Sequence, residues 1–109
     1  MGQFVRAQGQ LSDDATPTTM HTVTAEKEMH QLDLVFFNTD TVAVEVTVYL
    51  GTKATTVKVF NATIPAPPGS LSTVPLVIKQ MLPASTPIIA EAETGKANKI
   101  NYFLTAIEV

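Results

Sequence analysis

The stretch VAVEVTVYL (residues 42–50) decides the fold, because its apolar and polar side chains alternate with a period of two. One face of an extended chain would carry the valines and the leucine, and the other would carry the alanine, glutamate, threonine and tyrosine. Successive side chains of a strand point to opposite faces, and β-branched valines are poor helix formers. The stretch therefore predicts a β-strand whose valine face lies in a core.

The same alternation recurs on both sides of this stretch and predicts further strands at residues 20–25, 29–38, 55–64, 71–74, 88–93 and 100–109. Turn chemistry at residues 38–41 (NTDT) predicts a hairpin between the strands that flank it. Turn signals recur about every ten residues, which favours a β-sandwich or a jelly roll. The predicted fold is all-β, a single β-sandwich or jelly-roll-like domain of seven or eight short antiparallel strands.

Two segments fall outside this pattern. Residues 76–82 lie between Pro75 and Pro83, and their apolar spacing of three and four predicts a short helix. Glycines and a proline interrupt any period in residues 1–17, which predicts an extended N-terminal arm before a β-sandwich domain at residues 18–109. Such an arm is either a frayed terminus or a segment that docks on a neighbouring subunit.

Composition excludes several classes of function. The 109 residues contain no cysteine, which rules out disulfides, thiolate zinc sites and cysteine nucleophiles within them. The net charge is −3 and the sequence has no basic cluster, so nucleic acid is not an expected partner. No apolar run approaches the roughly 18 residues that span a bilayer, so a membrane is not expected either.

Residues with catalytic or metal-binding chemistry are sparse. His21 and His30 could approach each other if their strands paired, and two imidazoles beside a carboxylate can hold a metal. Glu91 and Glu93 share one strand face, but a pair of catalytic carboxylates usually spans a cleft. Solvent-exposed side chains are the simpler explanation of both pairs. We therefore predict no enzyme activity, no catalytic residue, no cofactor and no metal site.

Low charge density favours an interaction surface, because burying an unpaired charge costs several kcal/mol. Charged residues make up 16% of the chain, against about 25% in typical domains. The last predicted strand carries apolar residues on both faces, so it is either central or covered by another chain. The candidate partner-binding residues are Phe4, Val5 and Leu11 on the arm and Phe103 and Ile107 on the last strand, unless the last two belong to the core.

Two segments resemble a known group of proteins. Residues 38–50 (NTDTVAVEVTVYL) resemble a hairpin of small β-sandwich structural proteins of tailed bacteriophages, of the head decoration or cement type. Residues 88–92 (IIAEA) and 100–109 (INYFLTAIEV) resemble the closing strands of the same proteins. The resemblance covers residues 29–109 and does not include the predicted arm.

The resemblance implies a structural role in a virion. The expected function is that of a capsid decoration protein, which binds the outside of the phage head and stabilises it. The expected partners are copies of the chain itself, as a homotrimer, and the major capsid protein or other virion subunits. The expected location is the capsid surface, after assembly in the host cytoplasm. A tail, neck or fibre component and a carbohydrate-binding module that uses Tyr49 are the alternatives.

Overall fold

The computed structural model describes residues 2–51, 57–67, 72–78 and 81–109. Its strands are β1 (Gln3–Gln10), β2 (Thr18–Thr22), β3 (Met29–Asn38), β4 (Val44–Leu50), β5 (Val57–Ile64), β6 (Ser72–Ile78), β7 (Pro87–Ala92) and β8 (Ile100–Glu108). Within these ranges, the chain contains no apolar helix of the length that a bilayer crossing would require.

The strands form two antiparallel sheets of four. Sheet A has the order β1-β8-β3-β6, and sheet B has the order β2-β7-β4-β5. The first strand pairs with the last, the second with the seventh, the third with the sixth and the fourth with the fifth. The chain is thus one long hairpin wound into two facing sheets, which is a jelly roll. The predicted all-β sandwich is confirmed.

The core lies between the inner faces of the two sheets. Val44, Val46 and Val48 of β4 are fully buried, which confirms the inward face predicted from the alternation. Sheet A contributes buried side chains from β3 and β8, including Phe36 and Leu104. Each large apolar side chain buried in this way contributes about 1.5–3 kcal/mol.

The predicted hairpin at residues 38–41 is wrong, because β3 belongs to sheet A and β4 to sheet B. The turn chemistry itself is present. The buried side-chain amide of Asn38 donates to the carbonyl oxygens of Val42 at 3.0 Å and Ile64 at 2.9 Å, and its Oδ1 accepts from the amide of Asp40 at 2.8 Å. These bonds hold the chain where it crosses from one sheet to the other.

The predicted helix at residues 76–82 is also wrong. Its first part belongs to β6, which pairs with β3, and Leu82 exchanges backbone hydrogen bonds with Met29 at 2.8 and 2.9 Å. Pro75 starts no helix here, because β6 is an edge strand and proline is tolerated where one flank of a strand needs no hydrogen bonds. Residues 79 and 80 lie outside the described ranges.

The predicted boundary between an arm and a domain at residue 17 is wrong as well. β1 pairs with β8 along its whole length, Leu11 is fully buried, and Val5 and Ala7 pack against the core. Gly9 interrupts the sequence pattern for a packing reason. A Cβ at that position would lie 3.1 Å from the ring of Tyr102, so a glycine leaves room for the ring.

Replacement of Leu11 by alanine tests whether the N-terminal segment belongs to the domain. We expect Leu11→Ala to lower the free energy of unfolding by about 2–5 kcal/mol, because it leaves a cavity in the core. Phe4→Ala is the matched control on an exposed side chain and should change it by less than about 0.5 kcal/mol. Urea denaturation measures both, and an effect of Leu11→Ala as small as the control would contradict the assignment.

Replacement of Val46 by aspartate tests the inward face of β4. We expect Val46→Asp to cost about 3 kcal/mol or more, because it buries an unpaired charge between the sheets. Ala43→Asp introduces the same group at an exposed position three residues away and should have little effect. Thermal denaturation measures the stability of the two variants. Equal melting temperatures would show that the valine face is not in the core.

Candidate interaction surface

The outer face of sheet A carries a cluster of apolar side chains. Opposite residues of an antiparallel pair point to the same face, so Phe4 shares the face of Ile107, and Val35 that of Phe103. We define the sheet A patch as Phe4, Val35, Phe37, Val77, Phe103 and Ile107. Phe4 is 65% exposed and Val77 is 52% exposed, while the other four are half-buried.

Few charges accompany this patch. The Arg6 guanidinium lies 6.0 Å from the centroid of the Phe103 ring, which is a cation–π distance. Asp33 lies in the same cross-strand row as Arg6, and its carboxylate accepts a hydrogen bond from the side chain of Gln31 at 3.2 Å. An exposed apolar surface with so few charges is typical of a protein interaction site.

A shallow groove of about 460 Å³ runs along one end of the patch. It is lined by Gln8, Gly9, Gln10, Phe37, Asn101, Tyr102 and Phe103. Aromatic rings and uncharged amide groups dominate this lining. Such groups suit a partner that offers hydroxyl, amide or apolar groups rather than an ion.

The predicted partner-binding residues divide between two faces. Phe4, Phe103 and Ile107 come together in the sheet A patch. Val5 is half-buried, points to the opposite face and packs against the core, and Leu11 is fully buried, so neither belongs to the sheet A patch. Val35, Phe37 and Val77 of the patch are not among the predicted residues, although the alternation in residues 29–38 places the first two on the face opposite Leu32, Leu34 and Phe36.

A metal site at His21 and His30 requires that their strands pair. The two strands, β2 and β3, belong to different sheets and do not pair. His30 is exposed. Among the described residues, no three or more histidine, aspartate or glutamate side chains are grouped so that they could hold a metal ion. Glu91 is buried, whereas Glu93 is exposed and accepts a hydrogen bond from the amide of Glu45 at 2.7 Å, so the two carboxylates occupy different environments.

His21 instead meets a buried carboxylate. A bulge in β2 between Thr19 and His21 turns the imidazole inward, and its Nε2 lies 2.8 Å from Oε2 of Glu108. The amide of Thr24 donates to the same oxygen at 3.2 Å. Burial raises the pKa of Glu108, but hydrogen bonds from Thr24 and His21 outweigh it and hold that pKa below its ordinary value of 4.5. These contacts connect the two sheets at one end of the sandwich.

The contribution of Glu108 should depend on pH. Because its pKa is lower in the folded chain than in the unfolded one, its ionised form stabilises the fold above pH 4.5, and this contribution disappears as the pH falls through the lowered pKa. We expect Glu108→Gln to lower the free energy of unfolding at pH 7 by about 1–3 kcal/mol.

Denaturation curves across the acid range measure this effect. The difference between wild type and Glu108→Gln should shrink as the pH drops well below 4.5. Glu28→Gln, at an exposed position, is the control and should show no such trend. A difference between wild type and Glu108→Gln that stays constant with pH would contradict the assigned role.

Comparison with known proteins shows the fold and no family. No family model and no curated protein matches the chain. A chain from the acidic stable capsid of Helicobacter pylori bacteriophage KHP30 has 14% identity and a TM-score of 0.58, over 99% of this chain and 92% of that one. A chain from Bacillus endospore appendages, described as disulfide-linked pili, has 13% identity and a TM-score of 0.56, over 99% of this chain and 85% of that one.

Proposed function

We propose that the chain is a structural subunit of a tailed-phage virion, a capsid decoration protein that binds the outside of the head and stabilises it. The observation that carries the proposal is the sheet A patch, where apolar side chains from four strands form one exposed face of a jelly roll. The similarity in fold to a chain of a phage capsid supports it. The proposed partners are the major capsid protein or other virion subunits.

The patch can supply the energy that such docking needs. A few large apolar or aromatic side chains usually carry most of the binding energy of an interface. Phe4 can bury the most apolar surface on docking, because it is the most exposed large apolar side chain of the patch. Half-buried Ile107 lies directly opposite Phe4 on β8 and would exclude water on that side, while Phe103 forms a second apolar point four residues further along β8.

The absence of cysteine favours the capsid over the other structural neighbour. The endospore appendages are described as disulfide-linked pili. The 109 residues of this chain cannot supply a link of that kind. Their contacts with other subunits would therefore be non-covalent, which an apolar sheet face provides.

We also propose that the chain acts without catalysis. The buried Glu108 carboxylate lies 2.8 Å from Nε2 of half-buried His21 and accepts a hydrogen bond from the amide of Thr24, so this pair acts as part of the fold. A position in the tail, neck or fibre would use the same patch against a different subunit. A density map of the particle separates these locations, and the mass of the purified protein tests the expected trimer.

Carbohydrate binding is a second candidate function, which the groove on sheet A favours. Sugar rings stack on aromatic side chains, and their hydroxyl groups bond to amides. Phe37 and Phe103 with Gln8, Gln10 and Asn101 bring both kinds of group together. Tyr49, the platform expected from the sequence, is half-buried on sheet B and lies away from this groove.

Co-sedimentation with phage heads that lack the protein tests the decoration role. We expect Phe4→Ser and Phe103→Ser each to weaken head binding by about tenfold or more, because each removes an apolar anchor from the patch. Val42→Ser is the matched control, since Val42 is 49% exposed in the crossing from sheet A to sheet B, outside the patch, and it should bind like wild type. Circular dichroism confirms that each variant is folded.

Head binding by both patch variants at the wild-type level would contradict the sheet A patch as the docking face. The decoration role itself would be contradicted by no binding of the wild-type protein to heads, together with binding to a glycan array that Phe37→Ala abolishes. The second outcome would favour the carbohydrate-binding function instead.

A further inference from the structure

The free edges of the two sheets differ in how they are protected. Within the described ranges, β1 and β6 are the edges of sheet A, and β2 and β5 are the edges of sheet B. An edge strand presents unpaired amide and carbonyl groups that can pair with another chain. Proteins usually block such edges with a proline, a bulge, a charge or a very short strand.

Three of these edges carry such a device. β2 has five residues and a bulge between Thr19 and His21. In β5 the register shifts where Val48 and Tyr49 of β4 face Phe60 and Lys58, which leaves Val59 as a bulge. β6 contains a proline, Pro75, which has no amide hydrogen to donate.

β1 is the least protected of the four edges. It has eight residues, pairs with β8 in an unbroken register and contains no proline. Its one charged side chain, Arg6, reaches back over the Phe103 ring on β8 rather than blocking the open side. No strand in the described part of the chain pairs with that open side.

The backbone geometry shows which groups face the open side. The amide of Leu11 donates to the carbonyl oxygen of Ile100, at the end of β8, at 2.9 Å. Backbone groups of successive residues in a strand point to alternate sides, so the odd-numbered residues of β1 face β8. The amide and carbonyl groups of Phe4, Arg6, Gln8 and Gln10 therefore face outward, and all four residues are exposed.

We propose that β1 pairs with β1 of a second copy of the chain, antiparallel about a two-fold axis, so that the two A sheets form one continuous sheet. A second copy offers β1 as its one unblocked edge among the described strands. A contact between two like surfaces is the two-fold arrangement that closes at a dimer, so this pairing is an alternative to the expected homotrimer. The pairing goes beyond the proposed function, because it needs no capsid, and it would place two sheet A patches side by side.

Charge and strand length select the register of the pairing. If the pairing is centred on Ala7, Arg6 lies opposite Gln8 of the second copy, and Phe4 lies opposite Gln10 of the second copy. A register centred on Arg6 would place two arginines directly opposite each other, which is destabilising. A register centred on Gln8 avoids this repulsion but pairs only residues 6–10 of each β1, whereas the register centred on Ala7 pairs residues 4–10 and places two small side chains at the axis.

Substitutions at Gln8 test the pairing by analytical ultracentrifugation of the full chain. Gln8→Lys places a like charge opposite Arg6 of the second copy and should weaken the dimer by about tenfold, whereas Gln8→Glu should tighten it. Both variants should fold, because Gln8 is exposed. Gln31→Lys is the control on the same face but away from the edge, and it should leave the dimer unchanged.

Gln8→Pro and amide exchange supply two independent checks. Gln8→Pro removes an outward amide hydrogen that does not bond to β8, so it should abolish dimerisation. If this variant does not fold, the dimer affinities of Gln8→Lys and Gln8→Glu test the pairing. In the wild-type protein, amide exchange at Phe4, Arg6, Gln8 and Gln10 should slow as the protein concentration rises. Exchange at Val5 and Ala7, which face β8, should not respond.

Two results would overturn the pairing. One is a chain that stays monomeric at high concentration. The other is a dimer or trimer in which the outward amides of β1 exchange as fast as in the monomer. Neither result bears on the decoration role, which is tested separately by head binding. Conversely, a chain that no longer binds heads but still dimerises would leave the proposed pairing intact.

Discussion

The pairing of β8 with both β1 and β3 is the constraint on which the other features depend. This pairing makes β8 the middle of sheet A, with Tyr102 and Leu104 in the core and Phe103 and Ile107 on the outer face. It attaches β1 as an edge strand and joins the first strand of the chain to the last. It also carries Glu108 to the end of the sandwich, where the buried carboxylate meets His21 from the opposite sheet. The patch, the open edge and the contact between His21 and Glu108 thus all result from the position of one strand.

The fold could be predicted from the sequence wherever the alternation was strong. The valines of β4 and both faces of β8 follow the period of two, and the structure places them as expected. β1 does not show a clear alternation because small residues, Ala7 and Gly9, occupy part of its inner face, and Gly9 leaves room for the Tyr102 ring. The turn at Asn38 was recognised, but local turn chemistry does not specify which sheet the next strand will join. Pro75 was misinterpreted because a proline suits both a helix start and an edge strand.

The candidate site could be predicted only in part, for the same physical reasons. Phe103 and Ile107 were identified because apolar residues on both faces of a strand require a central position or a partner. Val5 and Leu11 were predicted to contact a partner because the sequence of β1, without that of its neighbour β8, does not show which face of the strand points into the core. Contacts between β2 and the end of β8 join residues that are far apart in sequence. The His21–Glu108 pair therefore left no local signal, and a single alternation pattern could not reveal it.

The apolar side chains of the patch and the backbone groups of the open edge both suit a chain that works in contact with other subunits. An uncovered apolar sheet face and an unblocked strand edge each promote aggregation in a protein that works as a monomer. Among the described side chains of this face, the charged Arg6 and Asp33 do little to prevent it, because Arg6 lies over an aromatic ring and Asp33 bonds to Gln31. The other three edges show that this fold accommodates blocking devices. A face and an edge that both lack them are consistent with a chain whose working state covers both, as in a subunit of a larger assembly.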